Sequence, residues 1–342
     1  MIQRTAARIE AHNPDSWQAC LSRSVTTPEA LLDRLGLDPA QWLSGAAAGH
    51  RLFPIRVPEP FLARMRPGDP DDPLLRQVLP RTDEVEPQDG FVPDPLEEQG
   101  AILTTGLIRK YRNRALLMVT GQCAINCRYC FRRHFPYHEQ RLDPDQRRQV
   151  VAALSANPDI EEVIFSGGDP LAVSDRLLHQ WVEALNTLPQ LRRLRIHTRL
   201  PVVIPQRVCD ALLAWVAESR VPVVMVVHVN HPAELDSNTR AALARLKAAG
   251  VTLLNQSVIL RRVNDSVDTL VELSEALFDA GVLPYYLHAF DPVAGAHHFH
   301  VSDDEARQLV QALLPRLPGF LVPRLVREIP DRASKTPIDL FP

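Results

Sequence analysis

What the chain lacks narrows its role first. Lys+Arg 38 against Asp+Glu 41 leaves a formal net charge of −3, so the basic surplus that nucleic acid or an anionic membrane surface demands is missing. The apolar run at 221–227, which no other exceeds in length, falls far short of the roughly 20 residues of a bilayer-spanning helix. Met1-Ile2-Gln3-Arg4 opens the chain without the apolar core of a secretory leader, and a soluble cytoplasmic protein is the expectation. Cysteines are few: Cys20, Cys123, Cys127, Cys130 and Cys209. An odd number with three crowded together is no disulfide framework, and in a reducing compartment it points to metal or redox chemistry. What is present is bulk. With 342 residues, 45% hydrophobic and 23% charged, the chain can bury a large core, which excludes wholesale disorder and suits one large α/β barrel or two ordinary domains.

Residues 1–110 read as a helical, proline-rich N-terminal layer. Ten prolines fall between Pro54 and Pro95, which forbids long continuous helices there. Short helices are expected at 14–22, 28–35 and 60–66, with Thr27 as N-cap before Pro28. From about residue 112 a regular alternation begins. Apolar, β-branched runs at 116–120, 162–166, 193–197, 222–228, 251–258 and 283–289 are each followed by helical spacing. One such helix puts Val267, Leu270, Val271, Leu277 and Phe278 on one face; another opens at Ser302 with Glu305 as its capping-box partner. Six strand–helix units imply a parallel sheet. Six is too few for a closed eight-fold barrel, and no Gly-x-Gly-x-x-Gly follows the first strand, so the expected fold class is α/β: a partial, six-unit parallel β/α barrel over 111–319. Residues 320–342 would add a strand at 320–328 and a short tail. In such folds the C-terminal ends of the strands carry the site.

The loop after the first strand reads Gly121-Gln122-Cys123-Ala124-Ile125-Asn126-Cys127-Arg128-Tyr129-Cys130. Three thiolates at Cys-x3-Cys-x2-Cys can hold three irons of a cubane cluster and leave the fourth iron without a protein thiolate. S-adenosylmethionine can fill that open position with its amino and carboxylate groups. A structural zinc knuckle with His134 as fourth ligand stays open beside this reading, although such sites usually come as two paired Cys/His arms. The second strand ends in Ser166-Gly167-Gly168-Asp169-Pro170, where two glycines let backbone approach a ligand closely. Lys335 is the only lysine after Phe320. A lysine amine can form a Schiff base with pyridoxal phosphate where its surroundings favour the neutral form; a solvated tail lysine is the other reading.

At the cysteine loop the chain resembles the radical S-adenosylmethionine (SAM) superfamily. The runs at 72–78 (DPLLRQV), 113–117 (NRALL), 127–137 (CRYCFRRHFPY), 164–171 (IFSGGDPL), 251–258 (VTLLNQSV), 277–288 (LFDAGVLPYYLH) and 334–339 (SKTPID) resemble the lysine 2,3-aminomutase family. The closer likeness is to its short bacterial branch, which serves β-lysylation of elongation factor P. The longer members carry a C-terminal extension, and a chain that stops soon after Lys335 fits the short branch. The resemblance implies a partial barrel of radical SAM type. It implies a [4Fe-4S] cluster on Cys123, Cys127 and Cys130, S-adenosyl-L-methionine at Ser166, Gly167, Gly168 and Asp169, and pyridoxal 5′-phosphate on Lys335 with Arg114 at its phosphate. Arg132 would bind the substrate α-carboxylate, and Asp291 and Glu328 the ε-ammonium of L-lysine. As partners it implies an electron donor, elongation factor P and its lysine ligase, and it admits a homo-oligomer. Two departures stand out. Glu328 replaces the aspartate of the longer enzymes, and 331–334 replaces the glycine run before the lysine.

Both cofactors have a chemical reason. Moving an amine from C2 to C3 of lysine requires removal of an unactivated C3 hydrogen, which a 5′-deoxyadenosyl radical can take, and a pyridoxal π-system can carry the nitrogen across. Rival readings are an aminomutase for another amino acid, such as glutamate, and a non-catalytic iron–sulfur or zinc binding protein. Asp291 and Glu328 oppose an anionic side chain, and the non-catalytic reading leaves Lys335 and the paired acids unexplained.

Overall fold

The computed structural model describes residues 15–140 and 142–341. Ten strands form one sheet in chain order: β1 (Ile102–Thr104), β2 (Leu107–Tyr111), β3 (Arg114–Thr120), β4 (Glu162–Gly167), β5 (Arg193–Thr198), β6 (Val223–Val227), β7 (Thr252–Val258), β8 (Leu283–His288), β9 (Arg324–Arg327) and β10 (Thr336–Pro337). The seven strands from β3 to β9 are parallel, while β1–β2, β2–β3 and β9–β10 pair antiparallel. The sheet order does not close, so the partial barrel expected from the sequence is the fold. Each parallel connection carries a helix, the principal ones being Pro144–Ser155, Asp175–Asn186, Asp210–Ala217, Ser237–Ala248, Val267–Asp279 and Asp303–Leu313. No helix among the described residues is long and apolar enough to cross a membrane.

Alternation along the strands sets the layers. In β5, Leu194, Ile196 and Thr198 are buried while Arg193, Arg195 and His197 are only half-buried. Leu194 and Ile196 join the main core with Leu178, Trp181 and Trp215 of the surrounding helices. Arg195 and His197 face inward, where they line a cavity together with Gln256 and Val258 of β7 and Tyr286 and His288 of β8. A closed eight-stranded barrel fills its interior with branched apolar side chains; this one leaves an open lumen in which polar side-chain ends stand among apolar walls.

The helix signals in the sequence work as chemistry predicts. Thr27 Oγ1 accepts from Ala30 N at 3.3 Å with Pro28 in the first turn. At Ser302 the capping box forms, Glu305 N donating to Ser302 Oγ at 3.3 Å and Ser302 N to Glu305 Oε2 at 3.0 Å. The helix expected at 14–22 runs Trp17–Ser22, and Pro14 lies outside the described residues. The one expected at 60–66 is a single turn, Glu59–Leu62. Phe278 departs from the stripe assigned to it. It is 46% exposed and packs edge-on against Phe320 at 5.4 Å, because the buried face of its helix runs through Leu270, Leu273 and Leu277. The boundary expected between 110 and 111 falls inside β2, so the sheet begins at Ile102. The strand expected at 320–328 shortens to β9, preceded by a turn at Gly319–Leu321.

Candidate active site

The lumen opens into a cavity of about 290 Å3 at the C-terminal ends of the parallel strands. The twelve residues that the family resemblance assigns to cofactors and substrate all line it: Arg114, Cys123, Cys127, Cys130, Arg132, Ser166, Gly167, Gly168, Asp169, Asp291, Glu328 and Lys335. They come from six separate segments, which only the barrel brings together.

The cysteine loop lies between β3 and the N-terminal layer, and that layer holds it along its length. Arg56 Nη1 donates to Cys123 O at 3.1 Å, and Asn126 donates to Arg56 O and, through its side chain, to Pro54 O at 2.7 Å. Arg128, between two of the cysteines, is wholly buried. It donates to both oxygens of Glu84, to Phe53 O at 2.6 Å and to Gly49 O at 3.1 Å. Burial pushes the Cys123 thiol well up and Cys130 to about 11. Iron binding to such thiols must displace their protons. Among the described residues no three His, Cys, Asp or Glu side chains converge on one ion. Thiolates that each bind a different iron of a cluster stand farther apart than the ligands of a single zinc. His134 instead faces the Ala294 carbonyl, Nε2 at 3.1 Å.

The glycine turn has a backbone reason as well as room for a ligand. Gly167 has φ 117°, and a Cβ there would meet Thr120 O at 2.2 Å; one on Gly168 would meet Gln122 O at 2.4 Å. Gly168 N donates to Thr120 O at 2.8 Å and Asp169 N to Gln122 O at 2.7 Å. The turn is therefore pinned to the start of the cysteine loop. The Asp169 carboxylate faces away from this pairing and accepts from Leu171 N, Thr198 Oγ1 and Arg199 N.

Arg132 sits near the cysteines with its fork occupied. Nε and Nη2 donate to Glu98 at 2.6 and 2.8 Å, and Nη1 reaches Ser166 Oγ at 3.0 Å. A bidentate grip on a ligand carboxylate, as expected from the sequence, requires Glu98 to yield. The physical reason is burial: a guanidinium taken from water needs a counter-charge. Burial alone would raise Glu98, yet Arg132, and behind it Lys110 at 3.1 Å, hold its carboxyl down at about 2. At the far side, Lys335 Nζ donates to Glu328 Oε2 at 2.7 Å and Tyr111 OH donates to Oε1. Glu328 falls below the usual range: burial opposes this, but Lys335 and then Lys110 outweigh it. Asp291 goes the other way, raised by burial to about 6 despite Lys335. Arg114 lies over the Tyr111 ring at 4.4 Å, and its buried Nε has no partner, which leaves a donor for an anionic group.

Several lining residues went unrecognised in the sequence. His197, His228 and His288 are kept neutral by burial first and by Arg195, Arg199 and Lys335 respectively, with His228 at about 3. Each is the last or next-to-last residue of a strand foreseen in the sequence, and that position was the available signal. Glu98 lies in the proline-rich stretch, and Lys110 and Tyr111 belong to a hairpin that no periodicity announces. Of the three lysines in the chain, Lys110 and Lys335 line the cavity and Lys247 does not.

Residues 117–274 match the model of the Radical SAM superfamily. The chain is 51% identical over 326 residues to the L-lysine 2,3-aminomutase of Escherichia coli (strain K12), covering 95% of each protein. It is 47% identical over 321 residues to the L-lysine 2,3-aminomutase of Haemophilus influenzae, covering 94% of this chain and 95% of that one. Identity to the L-lysine 2,3-aminomutase of Clostridium subterminale is 31% over 325 residues, 95% of this chain and 78% of that protein.

Proposed function

The chain belongs to the radical SAM superfamily and, within it, to the L-lysine 2,3-aminomutase family, and on that footing we propose that it isomerises free L-lysine to β-lysine, with Lys335 carrying pyridoxal 5′-phosphate. The family brings a [4Fe-4S] cluster and S-adenosylmethionine, which Cys123, Cys127 and Cys130 and the 166–169 turn would hold. When bound, these groups supply a radical able to take an unactivated hydrogen and a π-system that carries nitrogen between adjacent carbons.

The observation that carries the substrate reading is the charge pattern of the cavity. A guanidinium, Arg132, stands beside the cysteines, while two carboxyls, Asp291 and Glu328, stand beside Lys335. An amino acid with a free carboxylate and a distant ammonium fits that pattern, and an anionic side chain would meet like charge. Without substrate, Glu98 satisfies Arg132 and Lys335 satisfies Glu328. When a substrate carboxylate takes the Arg132 fork, Lys110 retains Glu98; a Lys335 joined to its cofactor gives up Glu328, which Tyr111 still holds and which is then open to the substrate ammonium. Arg114 offers its unpartnered Nε to the cofactor phosphate.

A separate ligase then joins the β-lysine to elongation factor P, and a one-electron donor reduces the cluster. A lysyl group already attached through its carbonyl has no carboxylate with which to displace Glu98. The test is to give the reduced enzyme free lysine and, separately, lysyl-modified factor. Turnover is expected on free lysine, and turnover only on the modified protein would refute the proposal. Arg132→Lys should depress free-lysine turnover sharply, since a point ammonium cannot replace a bidentate fork; an unchanged rate removes Arg132 from the carboxylate role.

A further inference from the structure

Arg199, just past the end of β5, has an unusual set of partners for a buried arginine. Nη2 donates to Glu234 Oε2 at 2.8 Å and to Gln77 Oε1 at 2.7 Å. Those bonds neutralise its charge and would suffice for a structural ion pair. Its other edge is turned to the cysteine loop, where Nη1 lies 2.8 Å from Cys127 Sγ and 2.8 Å from Tyr129 OH. Among the described residues, Cys127 is the one of the three loop cysteines whose sulfur receives a side-chain N–H. The guanidinium cannot drift from that position. Its residue is 6% exposed, its backbone N is tied to Asp169 at 2.8 Å, and its partners come from the N-terminal layer, the cysteine loop and the segment after β6.

We propose that Arg199 is a positioning residue for the iron–sulfur cluster, donating a fixed N–H to the Cys127 sulfur and thereby holding the cluster's reduction potential up. The proposal rests on the reading that Cys123, Cys127 and Cys130 hold that cluster. Reduction adds one electron to a group already ringed by thiolates. A donor and a cation aimed at one of those sulfurs stabilise the more negative, reduced form more than the oxidised form. Glu234 offsets part of the cation at longer range, while the directional bond to sulfur remains. Gln77 and Glu234 thus act through Arg199: they keep the fork from swinging away.

The experiment uses full-length protein reconstituted anaerobically with iron and sulfide and reduced with dithionite. Wild-type protein made with guanidino-nitrogen-15 arginine should show a nitrogen-15 hyperfine coupling to the reduced cluster in pulsed ENDOR, and Arg199→Lys should abolish it. Arg199→Met, loaded to the wild-type iron content, should need a lower potential. Its reduced-to-oxidised ratio at a fixed potential should fall at least tenfold, about 59 mV for one electron. Arg199→Lys, which keeps a charge, should fall less. A loaded wild type without the coupling, a coupling that survives in Arg199→Lys, or an unchanged midpoint in Arg199→Met overturns the proposal. If Arg199→Met does not take up iron, the labelled wild type decides alone. Failure of the wild type itself to assemble a cluster overturns the cysteine reading, and this proposal with it.

Discussion

Arg128→Met offers a direct measure of how firmly the N-terminal layer grips the cysteine loop. The arginine and its partner Glu84 are both fully buried, so no water replaces what the substitution removes. Glu84 keeps Arg133 Nη2 at 2.6 Å and Arg81 N at 3.1 Å, which moderates the loss at that end. The carbonyl of Phe53 loses its donor outright, while that of Gly49 keeps the Phe53 N–H at 3.0 Å. Breaking a buried pair costs about 3–5 kcal/mol. With Glu84 still partly paired the lower end applies, about 3 kcal/mol, or roughly a hundredfold in the folded-to-unfolded ratio. The methionine stem fills most of the same space, so packing adds little. Urea unfolding of the apo protein, followed by tryptophan fluorescence, gives the number, and iron retention after reconstitution should fall with it. Arg34→Met is the control: its pair with Glu59 is exposed at 46% and 38%, and such pairs are worth about 0.2–1 kcal/mol. If Arg128→Met costs no more than Arg34→Met, the buried network does not anchor the loop and the reasoning fails.

Cys127→Ala should lose iron–sulfur absorbance and S-adenosylmethionine cleavage together while its circular dichroism stays that of wild type; cleavage retained in the variant would contradict the three-thiolate cluster. Lys335→Ala should lose the pyridoxyl adduct trapped by borohydride, and peptide mapping of the wild-type adduct to Lys110 or Lys247 would show the assignment to be wrong. Asp291 gives a pH signature. Its carboxyl titrates at about 6 in the folded chain against about 3.9 unfolded, so folding takes up a proton between those values. The stability it contributes is full below the unfolded value and lost as pH rises through the folded one. The advantage of Asp291→Asn over wild type in urea should therefore grow from about pH 4 to about pH 6 and then level off; a constant difference would show that the raised value is wrong.

The repeat was legible because β-branched runs and capped helices alternate at a regular interval, and the cysteine loop and glycine turn stand at strand ends where such folds carry their chemistry. The helix Pro39–Leu52 was not legible. Its apolar periodicity is weak, and Gly45 and Gly49 look like breakers, whereas they admit Thr82 and Arg81, which a Cβ would meet at 2.3 and 2.9 Å. Asp38 before Pro39 is the same cap-and-proline signature as Thr27 before Pro28, so the start of that helix was readable even where its body was not. Glu98 and Lys110 escaped for a different reason. Nothing local marks a glutamate in a proline-rich stretch or a lysine in a short hairpin; their meaning comes from standing beside Arg132 and Glu328, more than thirty and two hundred positions away. Arg199 was equally silent, one arginine among many until the fold sets it against a sulfur.

Under the proposal that Lys335 carries pyridoxal phosphate, the scarcity of lysine has a consequence for handling that reactive aldehyde. Pyridoxal phosphate condenses with any accessible primary amine, and a protein rich in surface lysines scatters it over many sites. Here the basic surface is made almost entirely of arginine, whose guanidinium forms no such imine. Of the three lysines, Lys247 alone is exposed and outside the cavity. Side-chain amines thus offer the aldehyde one decoy on the surface against two inside. The same sparseness means that amine-directed crosslinkers and dyes have little to grip, and that a chromophore titration should approach a clean stoichiometric end point where a lysine-rich homologue would drift.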